Sequence, residues 1–307
     1  MAVAIGAGWA LLGLASLLLP LAARALGAAS VGTDLGSALA GLVTHLLVGA
    51  AFVWVGVGSL RRRRWARPLM LTLAWAWLVG GALTLALLPA LVDGVLGAST
   101  PPSPRATAAI KLSLLALASL PAVLLPAAFI WVYRDRDVIR TCERHDPTLS
   151  WTERCPTSVL GWSVGLGASA ALVLPALVRP AVPLFGRLVG GWAGAALLLA
   201  AAAALLLLAR ACFRLSPVGW WGSLVALVAL GASTTITFLR VEPTEALRRL
   251  GYPADQVELL GGLLDGRSVA GASAVLTAAT VLYLVAIRRH FRRAEDGAAA
   301  PGARARP

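Results

Sequence analysis

Charged residues are scarce in this sequence of 307 residues. Asp, Glu, Lys and Arg together make up 13% of the chain, about half the share found in an average soluble domain. Hydrophobic residues make up 59%, and the mean hydropathy is +0.81. This balance excludes an ordinary soluble protein. The polar stretches between the apolar runs are also too short to fold as a soluble catalytic domain.

Acidic residues, histidines and cysteines are few, and their positions exclude several kinds of chemistry. None of the 14 acids lies in the middle of an apolar run, whereas ion pumps use carboxylates inside the membrane. Haem held between two histidines is also excluded, because such a site needs two histidines within the membrane and His45 is the one histidine within an apolar run. The sequence has no Walker motif, no glycine-rich phosphate loop and no hydrolase triad motif. We therefore predict no cofactor and no conventional active site.

Long apolar runs are abundant. Eight of them reach the roughly 20 residues that a helix needs to cross a bilayer. They do not alternate between polar and apolar residues, which excludes a transmembrane β-barrel. The predicted fold class is an all-α integral membrane protein with eight transmembrane helices. The predicted spans are 3–23, 39–60, 68–91, 107–133, 158–178, 189–209, 218–239 and 268–287.

The second half of the sequence repeats the plan of the first half. Pro20 and Pro175, Gly36 and Gly191, and Trp65 and Trp220 form pairs that are each 155 residues apart. Each copy has four spans, so both copies enter the membrane from the same side and form parallel repeats. The predicted domains are a first repeat at 1–133, a connector at 134–157, a second repeat at 158–293 that includes an outer amphipathic hairpin at 241–266, and a disordered basic tail at 294–307.

The basic residues predict how the chain is oriented. The net charge is +13, and eighteen of the 27 basic residues lie at the span ends that include both termini. The positive-inside rule therefore places both termini in the cytoplasm, with the chain in a bacterial inner membrane. We expect the first span to be retained rather than cleaved as a signal peptide, because the fifth span is its counterpart. Membrane lipids, with anionic lipid at the basic inner face, and a membrane-protein partner are the expected partners, and nucleic acid is not.

A few polar and proline residues occur in only one of the two copies. Pro121 and Pro126 predict a bent or broken fourth span. The features that could form a polar site on the outer side are His45, Lys111, Ser233, Thr234, Thr235 and Thr237. The alternatives are snorkelling of the lysine towards water and hydroxyls that bond back to their own helix.

Gly186, Gly190 and Gly194 are spaced as a helix-packing stripe at the start of the sixth span.

The connector contains the residues that could bind a metal ion. Cys142, His145 and Cys155 offer three ligands of the kinds that zinc uses. The alternative is a linker whose charged residues pair with one another and with lipid headgroups. From these observations the predicted function is a non-enzymatic accessory or scaffold membrane component. A carrier or channel for a neutral or amphipathic solute, with a path between the repeats, is the alternative, and a membrane enzyme that uses the connector is the third hypothesis.

Overall fold

A computed structural model describes residues 2–25, 35–97, 103–249, 251–252, 254, 257 and 266–299. The chain is predominantly helical, and within these residues seven helices are long and apolar enough to cross a membrane. The predicted first span lies in an eighth helix. The apolar stretch of that helix, Ala2–Ala15, is shorter than those of the other seven. The chain divides into two compact units. The first holds Met1–Asp34, His45–Arg154 and Gly251–Asp265, and the second holds Leu35–Thr44, Cys155–Leu250 and Gly266–Pro307.

The first unit is built from long helices that approach one another through small residues. Helix α1 is Ala2–Ala25, α2 is Leu35–Leu60 and α3 is Ala66–Gly97. Helix α2 belongs to this unit from His45 onward. An ideal Cβ on Gly6 of α1 would lie 2.7 Å from the backbone oxygen of Gly49 in α2. Side chains at these positions would force the two helices apart, so the glycines allow close packing of the kind that membrane helices need.

The predicted fourth span is interrupted near its two prolines. It consists of α4 (Pro104–Ser119), a π-helical turn (Leu120–Leu124) and α5 (Leu125–Arg134). Proline has no N–H and cannot complete the regular hydrogen-bond ladder, and here the Leu125 N–H bonds to the Leu120 carbonyl instead. The irregularity that the prolines predicted is therefore present.

Two short helical elements follow and fold the connector. Helix α6 covers Arg136–His145, and a 3₁₀ turn covers Trp151–Glu153. The Asp135 carboxylate caps α6 by accepting the Asp137 N–H at 2.8 Å. Arg144 and His145 lie in the last turn, where basic groups favour the helix dipole. The sequence thus contains its own start and stop signals for this helix.

The second unit has four long helices packed around an apolar cluster. Its elements are α7 (Thr157–Ala171), a short α8 (Val173–Ala176), α9 (Gly191–Phe213), α10 (Pro217–Arg240), α11 (Pro243–Arg249) and α12 (Gly266–Ala299). Helix α10 packs along α12, and α7 packs along α9. Trp220 is 4% exposed, and its indole N–H donates to the Leu284 carbonyl at 2.8 Å.

A β-hairpin, which the sequence did not predict, precedes α9. Strands β1 (Ala181–Leu184) and β2 (Arg187–Gly190) pair antiparallel. Phe185 and Gly186 form the turn, and both have positive φ angles, as a two-residue hairpin requires. The predicted sixth span therefore begins at Gly191, two residues late. The predicted glycine stripe is wrong, because Gly186 and Gly190 lie in this hairpin rather than on a helix face.

One further boundary differs from the sequence prediction. Helix α12 continues to Ala299, whereas we predicted a disordered tail from 294. Alanine has the strongest helix propensity, which favours extension of the helix over the last alanines. Residues 300–307 lie outside the described part of the chain. In the predicted hairpin at 241–266, α11 forms its first helix, while most of the second helix also lies outside the described residues.

Candidate functional site

The best-formed polar site lies in the first unit, where the connector folds onto the basic loop between α2 and α3. Arg64 is at its centre. Its Nε donates to Oε1 of Glu153 at 2.7 Å, and its Nη2 lies 3.5 Å from Oε1 of Glu143. Its backbone N–H reaches the Asp146 carboxylate at 3.3 Å. One arginine therefore holds the α6 helix, the loop after it and the 3₁₀ turn together.

The neighbouring Arg62 determines which ring nitrogen of His145 accepts a hydrogen bond. Nη1 of Arg62 lies 2.7 Å from Nε2 of His145, and Nδ1 of His145 lies 3.1 Å from the Thr141 carbonyl. A guanidinium can only donate and a carbonyl can only accept. In this arrangement Nε2 therefore accepts from Arg62 and Nδ1 donates to the Thr141 carbonyl.

The helix ends beneath this cluster are tied together by further bonds. The Tyr133 hydroxyl is hydrogen-bonded to the Ser59 hydroxyl, and Nε of Arg67 donates to the Tyr133 carbonyl at 3.0 Å. The indole rings of Trp54 and Trp65 stack at 4.7 Å. The end of α5 is thus joined to the end of α2 and the start of α3, so the connector emerges from a fixed base.

The electrostatics of the cluster favour a structural role over reactive chemistry. The hydrogen bond that Arg64 donates to Glu153 is the main cause that raises the pKa of Arg64 above its usual value. Burial raises the pKa of the Cys142 thiol and raises that of Cys155 to about 11. Nucleophilic cysteines need a lowered pKa, and burial shifts the pKa of both thiols in the opposite direction.

The predicted metal ligands are not gathered into a site within the described residues. No group of three His, Cys, Asp or Glu side chains there is arranged to hold a metal ion. Both ring nitrogens of His145 are engaged by Arg62 and Thr141. Cys155 belongs to the second unit, whereas Cys142 and His145 belong to the first.

Two of the predicted outer hydroxyls, Ser233 and Thr237, hold the β-hairpin. The Ser233 hydroxyl donates to the Pro183 carbonyl at 2.7 Å and accepts the Phe185 N–H at 3.0 Å. The Thr237 hydroxyl accepts the Gly186 N–H at 3.0 Å. Both side chains are buried, so they satisfy the backbone of the turn.

The other predicted outer residues are distributed between the two units. Thr234 and Thr235 lie beside Ser233 on α10 and are half-buried. His45 of α2 packs against the Trp9 ring, with their centroids 5.4 Å apart. Lys111 of α4 is half-buried and lies in the first unit with His45. Whether these residues form a site stays a prediction.

The surface of the long helices defines the class of protein. Large apolar side chains point outward along them, including Leu117 at 74% exposure, Val275 at 70% and Leu282 at 70%. Water would not favour such apolar belts, whereas lipid does. The chain is a multi-pass α-helical membrane protein. No protein-family model, curated protein or solved structure matches it.

Proposed function

We propose that the chain is a non-enzymatic accessory or scaffold component of a bacterial inner membrane, and that its folded connector presents a docking surface to a partner protein. The observation that carries this proposal is the Arg64 cluster. Ion pairs and hydrogen bonds hold α6 in one position, which removes much of the entropy cost of ordering it when a partner binds.

The solvent-exposed face of the connector carries the charged side chains that such a role requires. Arg140 is 69% exposed and Asp137 is 88% exposed, and their side chains are 3.9 Å apart. Charged groups of both signs on an ordered helix supply specificity and steering more than raw affinity. A partner with complementary charges would therefore recognise this face.

The finer architecture belongs to the same proposal. We propose eight transmembrane helices in two parallel repeats, with both termini and the connector in the cytoplasm. The excess of arginine at these ends supports this orientation through the positive-inside rule. Anionic lipid headgroups would contact the same basic face, each arginine contributing about 1 kcal/mol near the surface.

Photo-crosslinking in living cells tests the docking role. A benzophenone amino acid is placed at Arg140 on α6 and, as a control, at Leu207 on α9, which is also 69% exposed. We expect Arg140 to give one discrete protein adduct that weakens in Glu153→Ala, which loosens the connector. Leu207 should give only lipid adducts. If probes at Arg136, Arg140 and Arg144 all give no protein adduct, the proposal is wrong.

A carrier or channel for a neutral or amphipathic solute is the second candidate, and the π-helical turn at Leu120–Leu124 favours it. Such turns expose backbone groups and are common at functional sites. Purified protein in liposomes would then speed the entry of small polyols, and Ala122→Trp at the turn would abolish the effect. Rates equal to those of protein-free liposomes would exclude this activity for the polyols tested.

A further inference from the structure

A cavity of about 200 Å³ lies in the second unit, beside the start of the β-hairpin. Arg179 and Arg249 line it, together with Pro180, Ala181 and the glycine pair Gly190 and Gly191. Pockets for drug-sized ligands are usually about 300–1,000 Å³. The cavity is therefore the right size for a single small group rather than for a whole metabolite.

The fold brings these residues together from three places. Arg179 and Pro180 lie in the short turn between α8 and β1, and strand pairing sets Ala181 opposite Gly190. Gly191 is the first residue of α9 and has a φ of +60°. An ideal Cβ on Gly191 would meet nothing within 4 Å, so there is open space at this point of the cavity wall. Arg249 comes from the end of α11.

The chemistry of the lining favours an anion. A guanidinium is always charged and donates through a planar fork that matches phosphate oxygens. Arg249 is held by Glu245, with Nε to Oε1 at 2.9 Å. That bond uses Nε, so Glu245 does not consume the terminal nitrogens of the fork. The start of the 23-residue helix α9 adds the partial positive charge of its dipole.

The charges of the lining and its surroundings specify the anion further. Arg179 and Arg249 both line the cavity, and two guanidinium groups favour a negatively charged group such as a phosphodiester. Next to Gly191, Trp192 is 94% exposed, and Phe185 in the hairpin turn is 53% exposed. Exposed aromatic rings at the end of an apolar helix are typical of the lipid headgroup level.

We propose that this cavity binds a phosphate group between Arg179 and Arg249, and that a phospholipid headgroup supplies it. The acyl chains of that lipid would run along the exposed apolar side chains of α9, such as Leu199 and Leu206. The proposal needs only that the helices are embedded in a membrane, and it is independent of the docking role of the connector.

Native mass spectrometry of the full chain, purified in mild detergent, tests the proposal. Phosphatidylglycerol is titrated, and the affinity of the most tightly retained lipid is measured. We expect Arg179→Gln with Arg249→Gln to weaken this binding at least about tenfold. Arg187→Gln is the matched control, because Arg187 lies in the same hairpin but does not line the cavity, and it should change the affinity less than twofold.

Single-residue variants test the contribution of Arg249 separately. Arg249 has a side chain 58% exposed on a short helix, so Arg249→Gln should fold even if Arg179→Gln does not, and it alone should weaken binding several-fold. Arg249→Lys keeps the charge but loses the fork and should restore binding only in part.

The source of the phosphate is separated by titrating inorganic phosphate into lipid-free protein and following its melting temperature. Arginine-dependent stabilisation by inorganic phosphate, without arginine-dependent lipid binding, would overturn the lipid source but keep the phosphate site. If the double variant binds lipid and phosphate as the unmodified protein does, the proposal is refuted.

Discussion

Replacing Glu153 with alanine should release the connector from the arginine that holds it. The Glu153 carboxylate accepts Nε of Arg64 at 2.7 Å and the Ser150 N–H at 3.2 Å. The side chains of Arg64 and Glu153 are only 17% and 23% exposed, so this pair is shielded from water better than a surface salt bridge. Both bonds are lost together in the alanine variant.

The expected loss follows from these two bonds. A hydrogen bond to a charged group contributes about 1.5–3 kcal/mol, and we take the lower end for the Arg64 bond because both partners retain some exposure. Adding about 0.5 kcal/mol for the Ser150 bond gives about 2 kcal/mol. Since 1.4 kcal/mol is a factor of ten, the locally open state should become about 30-fold more populated.

Hydrogen exchange measures this opening directly. Amides of Arg136–His145 should exchange about 30-fold faster in Glu153→Ala, while those of α9 should not change. Glu143→Ala is the control, because Glu143 lies 3.5 Å from the same arginine but is 47% exposed, and such pairs contribute little. Unchanged exchange in Glu153→Ala, or an equal rise in both variants, would refute the view that this bond holds the connector.

Three other predictions test the packing, the thiols and the hydroxyls. Gly81→Ala should destabilise the protein by about 2 kcal/mol, because its Cβ would lie 2.1 Å from a backbone oxygen of the π-helical turn, whereas Gly80→Ala, with nothing within 4 Å, should not. Denaturation of purified protein compares them, and equal stabilities would contradict the packing described. Burial raises the pKa of Cys155 to about 11, so its alkylation, followed by mass spectrometry, should keep rising about tenfold per pH unit beyond pH 9; a plateau near pH 9 would contradict this. Ser233→Ala should speed exchange of the hairpin amides at least about fivefold, since the Phe185 N–H and the Pro183 carbonyl lose their partner, whereas Thr235→Ala should not; equal rates in the two variants would show that the hydroxyl does not hold the turn.

The long helices could be predicted from the sequence because apolar runs longer than a bilayer leave few alternatives. The interruption at Leu120–Leu124 could also be predicted, since Pro121 and Pro126 lack the N–H groups that a regular helix uses. Local chemistry carried both predictions. The eight spans and the tandem repeat stay predictions, supported by the 155-residue spacing of the sequence.

The β-hairpin could not be predicted because its strands are short and apolar. A run such as Ala181–Leu184 fits the end of a helical span as well as a strand. The signal that could have revealed it is Phe185-Gly186, a glycine in the second turn position. The hydroxyls of Ser233 and Thr237 form hydrogen bonds with this hairpin, whose bonded residues are about 50 positions away in the sequence.

The connector cluster could not be predicted for a similar reason. Arg64 and Glu153 are 89 residues apart, and any of the four consecutive arginines could have been the partner. The sequence showed the opposite charges and the Cys/His pattern, which suggested a metal site. Tertiary contacts paired His145 with Arg62 instead.

The location of the connector tests the central claim most directly, because a partner can dock on α6 only from the side of the membrane that it faces. The cysteine-free chain with Thr148→Cys, an exposed position in the loop after α6, is treated with a membrane-impermeant maleimide in bacterial spheroplasts and in inverted vesicles. We predict labelling only in the inverted vesicles. Labelling in intact spheroplasts would place the connector outside the cytoplasm and contradict the account.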